Sequence, residues 1–243
     1  MTADMTGPPG ELIGRGRTAD VFALGDGSVL RRYRDGQSVE REGELLGYLA
    51  RQGFPVPLVH KVSGGDLVME RLHGPTMLGA LTAGRTDLES AMAVLADLHH
   101  ALRRVRPPSE ARQVAQAPGA PQAPTWHGLI HLDLHPDNVI LEPGRGPMLI
   151  DWNNAEIGPG DLDVAMTALI MAEVAVNPER ADAVGALHDD LPHAVEQFLA
   201  AAGGDPAAHL DEAARRRRAN PTLSAAELRA VVRAGGLVAE LLR

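Results

Sequence analysis

Three oxygen-bearing side chains that could carry out chemistry lie within one short stretch of the sequence. Asp133 is followed five residues later by Asn138, and Asp151 comes directly after an apolar run. Carboxylate and amide oxygens suit a hard cation such as Mg²⁺, whose remaining positions phosphate oxygens can fill. A further carboxylate on the adjoining loop could accept the proton of an incoming hydroxyl. This spacing predicts a phosphoryl-transfer site with Asp133 as the base and with Asn138 and Asp151 as metal ligands.

The flanking residues are predicted to bring Asn138 and Asp151 together. Two apolar triplets enclose a six-residue segment, 142–147, that holds two prolines and two glycines, which predicts a β-hairpin. If Leu141 pairs with Met148, Asn138 lies opposite Asp151, with Cβ atoms about 5 Å apart. The alternative, a polar turn on a surface hairpin, leaves the acidic positions unexplained, because turn formation requires none of them.

The stretch HLDLHPDNVIL…LIDW, which contains all three residues, resembles the catalytic loop and metal-binding Asp of the aminoglycoside phosphotransferase and choline kinase group of kinase-like enzymes. The resemblance extends from about Leu12 to Ala165. It implies a bilobal protein-kinase-like fold, ATP or GTP as co-substrate, and Mg²⁺. It also implies that three residues give the catalytic loop structural support: His131, His135 and Asp163. Asp161 competes for the last role, but the spacing to Ala165 favours Asp163.

The N-terminal part carries features that are typical of a nucleotide-binding lobe. Gly14 and Gly16 lie between two predicted strands, and glycine allows backbone N–H groups to approach phosphates closely. A plain hairpin turn is the alternative interpretation of these glycines. Residues 68–72 resemble the hinge of these enzymes, in which adenine would be bound by the backbone of Glu70 and Leu72.

A cation on the third strand is predicted to pair with an acid on the following helix, as in kinases. Positions 29 and 31 share a face of that strand, which favours Arg31 over Arg32. On a helix over 38–51, Glu42 is the one glutamate turned toward the apolar face. Its alternative is a solvated position like that of the other helix glutamates.

Arg31 stands where kinases usually carry lysine, and this departure motivates a second hypothesis. The chain could be a catalytically weak or inactive nucleotide-binding pseudokinase. Arginine nevertheless keeps the charge and adds a planar fork, and the choline kinase branch looks similar on this strand. The intact set of Asp133, Asn138 and Asp151 favours an active enzyme.

The order of elements predicts an α+β fold. Short apolar runs broken by glycines indicate an antiparallel sheet with one helix, and from Thr86 the apolar period becomes helical. The predicted division is a flexible tail over 1–10, a nucleotide-binding N-lobe over 11–72 ending in the hinge, and a helical C-lobe over 73–243 that holds the catalytic loop 131–138 and Asp151.

Composition restricts the classes of partner. The net charge of −9 disfavours binding to the phosphate backbone of a nucleic acid. The longest apolar stretch, residues 164–176, carries Thr167 and Glu173 and is shorter than the about 20 residues that span a bilayer, so it predicts a buried helix. The absence of cysteine fits a reducing compartment. We expect a cytoplasmic protein that binds neither nucleic acid nor membrane.

The predicted acceptor is a hydroxyl of a small molecule, such as an aminoglycoside or another antibiotic or metabolite. Aromatic residues are 3% of the chain, which disfavours an aromatic cage for choline. Four acids could hold a cationic acceptor or could be surface charge: Glu156, Glu173, Asp189 and Asp190. The arginine run at 215–218 is interpreted as a solvated helix face, with binding of an anionic partner as the alternative.

Overall fold

The computed structural model describes residues 10–106 and 127–243. The flexible tail predicted for residues 1–10 lies, except for Gly10, outside the described residues. The chain forms two compact units, the first running to His73 and the second beginning at Gly74. Each unit is built around its own type of secondary structure.

The first unit is a five-stranded antiparallel sheet with one helix. Its strands lie in the order β1-β2-β3-β5-β4. The bounds are β1 Glu11–Arg15, β2 Ala19–Ala23, β3 Ser28–Tyr33, α1 Glu40–Arg51, β4 Val59–Ser63 and β5 Asp66–Glu70. Helix α1 begins at Glu40 rather than at Ser38, and Val39, whose N–H donates to the Gly64 carbonyl, is its N-cap.

Helix α1 packs closely on the sheet. Leu46 and Leu49 of the helix and Leu30 and Leu67 of the strands are buried. A Cβ at Gly43 would collide with the side chain of Val62, so glycine permits this approach. Helix α1 therefore packs on the side of the sheet formed by β4 and β5, where Gly43 faces Val62 and Leu67.

The second unit is mostly helical and surrounds one buried helix. Its helices are α2 Met77–Thr82, α3 Leu88–Arg104, α4 Gly160–Ala175, α5 Ala181–Val184, α6 Leu191–Ala202, α7 Leu210–Arg218 and α8 Ala225–Leu241. Helix α4 is buried on nearly all sides, because apolar residues occur all round it. The buried helix predicted over 164–176 corresponds to α4, which begins earlier, at Gly160, and ends at Ala175. No helix among the described residues has the length and apolarity needed to cross a membrane.

Two short antiparallel ribbons carry the candidate site. Strand β6 (His127–Ile130) pairs with β9 (Glu156–Pro159), and β7 (Val139–Glu142) pairs with β8 (Gly146–Leu149). The loop from β6 to β7 holds residues 131–138, which end in a 3₁₀ turn, Pro136–Asn138.

The predicted β7–β8 hairpin is present, but its predicted register is wrong by one residue. Met148 pairs with Ile140 rather than with Leu141. The reason is the turn: Arg145 N–H donates to the Glu142 carbonyl at 3.1 Å, and the central Pro143-Gly144 pair adopts a type II turn with positive φ at the glycine.

This tighter turn changes the residue that lies opposite Asn138. The Ile150 N–H donates to the Asn138 carbonyl at 2.9 Å, so Asn138 faces Ile150 and Asp151 follows one residue later. Asp151 itself has a left-handed backbone, with φ of 65°. The two predicted metal ligands are thus neighbours at the hairpin mouth without being a cross-strand pair.

Candidate active site

The loop that carries Asp133 has a sharp bend at Leu132, which Asp163 braces. Leu132 has a φ of 62°, a conformation that costs a non-glycine residue about 1–3 kcal/mol. Its N–H donates to Asp163 Oδ1 at 2.6 Å, and the His131 N–H donates to Oδ2 at 3.0 Å. Asp161, the competing candidate, instead pairs with Arg103 at 2.9 Å. The structure therefore places Asp163, and not Asp161, against the loop.

Asp163 is buried at the start of α4, and its surroundings determine its protonation. Burial raises the pKa of Asp163 to about 6, although the two backbone N–H bonds oppose this shift. His99 Nδ1 lies 3.5 Å from Asp163 Oδ2, and burial lowers the pKa of His99 to about 3. The imidazole beside Asp163 is therefore neutral at physiological pH.

His131 joins the loop to the residue before Asp151. Its Nδ1 accepts from the Asp133 N–H at 3.2 Å, so Nε2 carries the proton and donates to the Ile150 carbonyl at 3.1 Å. Burial lowers the pKa of His131 to about 4, which keeps this tautomer neutral. Trp152 packs edge-on against the ring, with centroids 4.6 Å apart, and is buried in the core. His131 thus connects the loop that carries Asp133 to the segment that carries Asp151.

The carboxylate of Asp133 is contacted by other residues of its own loop. Asn138 Nδ2 donates to Asp133 Oδ2 at 3.2 Å and to the Asp133 carbonyl at 2.9 Å. His135 Nε2 lies 3.7 Å from Asp133 Oδ1, and His135 Nδ1 accepts from the Asp137 N–H. His135 therefore caps the 3₁₀ turn and flanks the carboxylate at the same time.

The charge of Asp151 also affects the carboxyl group of Asp133. Burial raises the pKa of Asp133, and the nearby Asp151 carboxylate raises it further, while His135, Arg217 and the Asn138 hydrogen bond lower it. The charge of Asp151 thus acts directly on Asp133. The structure brings Asp133, Asn138 and Asp151 together within the second unit.

In the first unit, Arg31 and Glu42 form a buried ion pair. Arg31 Nη1 donates to Glu42 Oε1 at 2.7 Å, and the Tyr33 hydroxyl donates to Oε2 at 2.9 Å. The Arg31 guanidinium also lies over the Tyr33 ring, 4.8 Å from its centroid. Arg32, on the other face of β3, pairs with Asp66 instead. The predicted pairing of Arg31 with Glu42 is therefore present, and its role toward a nucleotide stays a prediction.

The predicted phosphate-covering loop begins within β1. Gly14 lies inside β1 at an irregularity in the β1–β2 pairing, and the Gly16 N–H donates to the Ala19 carbonyl at 2.8 Å. The Arg34 guanidinium donates to the carbonyls of Gly16 and Arg17, both at 2.9 Å. Hydrogen bonds within the first unit thus hold the loop in place. The Gly16 N–H already has an acceptor, the Ala19 carbonyl.

The predicted hinge residues lie at the end of β5 and just beyond it. The Glu70 N–H donates to the Leu58 carbonyl at 2.8 Å, and Glu70 Oε2 accepts from the Leu58 N–H at 3.1 Å. The Glu70 N–H is therefore not available to a nucleotide base. Leu72 lies two residues beyond the end of the strand.

With this geometry in place, sequence comparison decides the family. The sequence profile of the phosphotransferase enzyme family (APH) matches residues 10–128 and, overlapping them, 110–214. The chain belongs to the phosphotransferase enzyme family. The match covers the candidate site residues from Gly14 to Glu173 and ends before Arg217. No curated protein is similar enough in sequence to give a significant match.

Solved structures share the phosphotransferase fold at low sequence identity. A thermostable mutant of aminoglycoside phosphotransferase APH(4)-Ia, bound to AMP-PNP and hygromycin B, has a TM-score of 0.61 at 16% identity, covering 96% of this chain and 92% of that chain. The gentamicin complex of APH(2")-IIa has a TM-score of 0.58 at 14% identity, covering 95% and 92%. A choline/ethanolamine kinase family protein from Mesorhizobium loti has a TM-score of 0.54 at 18% identity, covering 97% and 90%. The predicted α+β, kinase-like fold class is confirmed.

The donor set at the hairpin mouth fits the Mg²⁺ that phosphotransferases of this fold imply. Within residues 10–106 and 127–243, no three His, Asp or Glu side chains form a metal-binding cluster. Asn138 makes its hydrogen bonds through Nδ2, and its Oδ1 has no partner among the described residues. This amide oxygen and the Asp151 carboxylate would offer two hard ligands, a number that suits Mg²⁺ when phosphate and water supply the rest.

Four further residues surround the catalytic loop without having been predicted to support it, although Glu173 was considered as an acid for a cationic acceptor. Thr167 donates to the Leu134 carbonyl at 2.7 Å and lies 3.0 Å from His99 Nε2. The other two, Glu173 and Arg217, form an ion pair at 2.9 Å. Polar residues inside the apolar 164–176 stretch were a usable signal for Thr167 and Glu173. Arg217 and His99 carried no comparable signal.

Proposed function

We propose that the chain is a Mg²⁺-dependent kinase that transfers the γ-phosphoryl group of ATP, or of GTP, to a hydroxyl of a small molecule. The observation that carries this proposal is the assembly of Asp133, Asn138 and Asp151 at one hairpin mouth, with Asn138 Oδ1 left for a cation. Membership of the phosphotransferase family supports it. Neighbours in complex with AMP-PNP and with ADP support ATP as the donor.

Asp133 is the proposed catalytic base. In the transfer, a bond forms between the acceptor oxygen and the γ-phosphorus, the bond from that phosphorus to the nucleoside diphosphate breaks, and the hydroxyl proton passes to Asp133. Burial raises the pKa of Asp133, which makes it a stronger base than an exposed carboxylate. Asn138 and Asp151 would hold Mg²⁺, which, when bound, neutralises charge on the phosphate oxygens.

In this proposal the N-lobe binds the nucleotide and the C-lobe performs the chemistry. Arg31, held by Glu42, would contact the phosphates, and Gly14 and Gly16 would cover them. The Leu72 backbone and the Glu70 carbonyl would bind the base, since the Glu70 N–H is occupied. His131, His135 and Asp163 would keep the catalytic loop in shape.

Two of the four acids considered for a cationic acceptor are paired with arginines. Glu156 pairs with Arg216 at 2.6 Å, and Glu173 pairs with Arg217 at 2.9 Å. Asp189 and Asp190 are exposed. This charge balance favours a neutral hydroxyl compound over a polycationic aminoglycoside, although gentamicin and hygromycin B are bound by the neighbours named above.

The test measures turnover of Mg-ATP, detected as ADP release, with a panel of sugars, amino alcohols, nucleosides and aminoglycosides as acceptors. Asp133→Asn keeps the shape of the side chain and should lower kcat by about 10²–10⁴-fold. Asp97→Asn, an identical charge change at an exposed position of α3, should leave kcat unchanged. Nucleotide binding without turnover on any acceptor would instead support the pseudokinase, for which Arg31 is the motivating observation.

A further inference from the structure

Helix α7 carries four successive arginines whose surroundings differ. Arg215 and Arg216 each pair with Glu212 on the same helix, at 2.6 Å, and Arg218 is exposed. Arg217 points inward, with 15% of its side chain exposed. The prediction of a uniformly solvated arginine face is therefore wrong for Arg217.

A carboxylate on the buried helix α4 fixes the orientation of Arg217. Its Nε donates to Glu173 Oε1 at 2.9 Å, and its Nη2 donates to Oε2 at 3.2 Å. Two parallel bonds of this kind set the plane of a guanidinium group. The third nitrogen, Nη1, is directed toward the catalytic loop and lies 3.9 Å from Asp133 Oδ1.

Stability alone is a weak explanation for this arrangement. Removing two charges from water is unfavourable, and apolar side chains of similar volume often stabilise a fold as well as a buried ion pair does. The arrangement does, however, complete the surroundings of Asp133. From within the loop, Asn138 contacts Oδ2 and His135 flanks Oδ1 at 3.7 Å. Arg217 approaches Oδ1 from a separate helix.

We propose that Arg217 is a positioning residue for Asp133. Anchored by Glu173, its guanidinium keeps Oδ1 of Asp133 in the orientation that accepts the proton of the acceptor hydroxyl. This inference rests on the proposed function and extends it to a residue outside the catalytic loop. Because Arg217 acts through Asp133, its loss should lower kcat and leave the KM for Mg-ATP nearly unchanged.

The decisive comparison separates positioning from simple stabilisation. Arg217→Met leaves the Glu173 carboxylate buried without this cation, so both Tm and kcat should fall. The double variant E173Q/R217M removes both charges and should recover Tm. Positioning predicts that kcat of the double variant stays about 10–100-fold below wild type, with the KM for Mg-ATP within about twofold. If kcat returns together with Tm, Arg217 only stabilises the fold and the proposal is overturned.

Two further variants sharpen the result. Arg216→Met is the matched control, because Arg216 lies on the same helix and has ion pairs of its own, with Glu156 and Glu212. It should keep the wild-type kcat, and a loss equal to that of Arg217→Met would overturn the proposal. Arg217→Lys returns a cation without the planar fork, so it should recover part of the kcat lost in Arg217→Met. Equal losses in the lysine and methionine variants would count against positioning.

The assay also separates this inference from the proposed function. Turnover is measured with Mg-ATP and whichever compound of the panel gives the highest rate. If wild type transfers phosphate to none of them and does not hydrolyse ATP, the proposed function fails and this inference fails with it. If wild type is active and E173Q/R217M is equally fast, the proposed function stands and this inference fails.

Discussion

Two buried carboxylates, Glu42 in the first unit and Asp163 in the second, are held by different kinds of partner. Glu42 binds side chains, the Arg31 guanidinium at 2.7 Å and the Tyr33 hydroxyl at 2.9 Å. Asp163 binds backbone, accepting from two successive N–H groups of the catalytic loop at 3.0 and 2.6 Å. A carboxylate bound to side chains positions a cation, whereas one bound to N–H groups determines the conformation of the chain.

Glu42 and Asp163 also differ in how their negative charge is compensated. A guanidinium compensates Glu42 directly, so the pair can remain ionised when buried. Hydrogen bonds from neutral N–H groups offset only part of the desolvation of Asp163, and burial raises its pKa to about 6. The two sites should therefore respond differently to truncation, to pH and to exchange of the partner.

The largest effect is expected when the backbone-bound carboxylate is removed. Asp163→Ala leaves two N–H groups without their acceptor and removes support from the bend at Leu132. The free energy of unfolding should fall by about 3–5 kcal/mol, and kcat should fall at least about 100-fold, because Asp133 directly follows the bend. Urea unfolding and turnover of Mg-ATP measure both quantities.

The control for this prediction is Asp161→Ala on the same helical turn. Asp161 pairs with Arg103 in a partly exposed position, so its loss should reduce the free energy of unfolding by about 1 kcal/mol or less. Similar losses in the two variants would show that Asp163 has no special role in shaping the loop.

The side-chain-bound carboxylate should show strong coupling with its cation. Glu42→Gln or Arg31→Met alone leaves one buried charge uncompensated and should lower the free energy of unfolding by about 3 kcal/mol. The double variant should lose less than the sum of the two, because neither charge remains. Thermal and urea unfolding of the four proteins give the coupling energy, and additive losses would contradict a buried ion pair.

A second ion pair, whose arginine lies on the same strand as Arg31, serves as the control. Arg32 and Asp66 approach equally closely, at 2.7 Å, but 36% of the Arg32 side chain is exposed. Arg32→Met should therefore reduce the free energy of unfolding by about 1 kcal/mol or less. A loss as large as that of Arg31→Met would mean that burial does not distinguish the two pairs.

These two sites also show what the sequence could and could not predict. The choice of Arg31 and Glu42 required only strand alternation and helical periodicity, since each element by itself determines which way its side chains point. The hairpin register was wrong, because one residue in the turn decides it and the type II turn at Pro143-Gly144 was not recognised.

Residues brought in by tertiary packing were the least accessible to sequence reasoning. Arg217 lies on a helix far along the chain from Asp133, and nothing in its neighbours in sequence distinguishes it from the other arginines of α7. Thr167 and Glu173 did stand out as polar residues in an apolar helix, but their partners depend on which loop packs against that helix. Local patterns thus predict which face a residue occupies, and packing determines what it meets there.

The pH dependence of stability should show the raised pKa of Asp163. In the folded chain this carboxyl binds a proton below about pH 6, whereas in the unfolded chain it does so below about pH 4. Between these values the folded state holds one more proton, so this group makes the fold more stable as pH falls, by about 1.4 kcal/mol per pH unit. His99 and His131, whose pKa values are lowered to about 3 and about 4, act in the opposite direction.

Comparison with Asp163→Asn isolates this contribution, because both histidines are present in both proteins. The difference in free energy of unfolding, wild type minus variant, should increase as pH is lowered from 6 to 4. Urea unfolding at intervals of half a pH unit measures this slope. A difference that does not change with pH would mean that Asp163 is ionised throughout, as expected for a carboxylate compensated by a cation.

The smallest effect is expected when the cation of the first unit is exchanged rather than removed. Arg31→Lys keeps a positive charge beside Glu42 but loses the planar group that lies over the Tyr33 ring. The free energy of unfolding should fall by about 1 kcal/mol, and the affinity for Mg-ATP, measured by calorimetry, should change less than about tenfold. A larger loss of affinity would show that the guanidinium fork, and not the charge alone, is what the proposed nucleotide site requires. A gain in turnover would instead identify arginine at this position as a restraint on catalysis, which is the property expected of a weakened kinase.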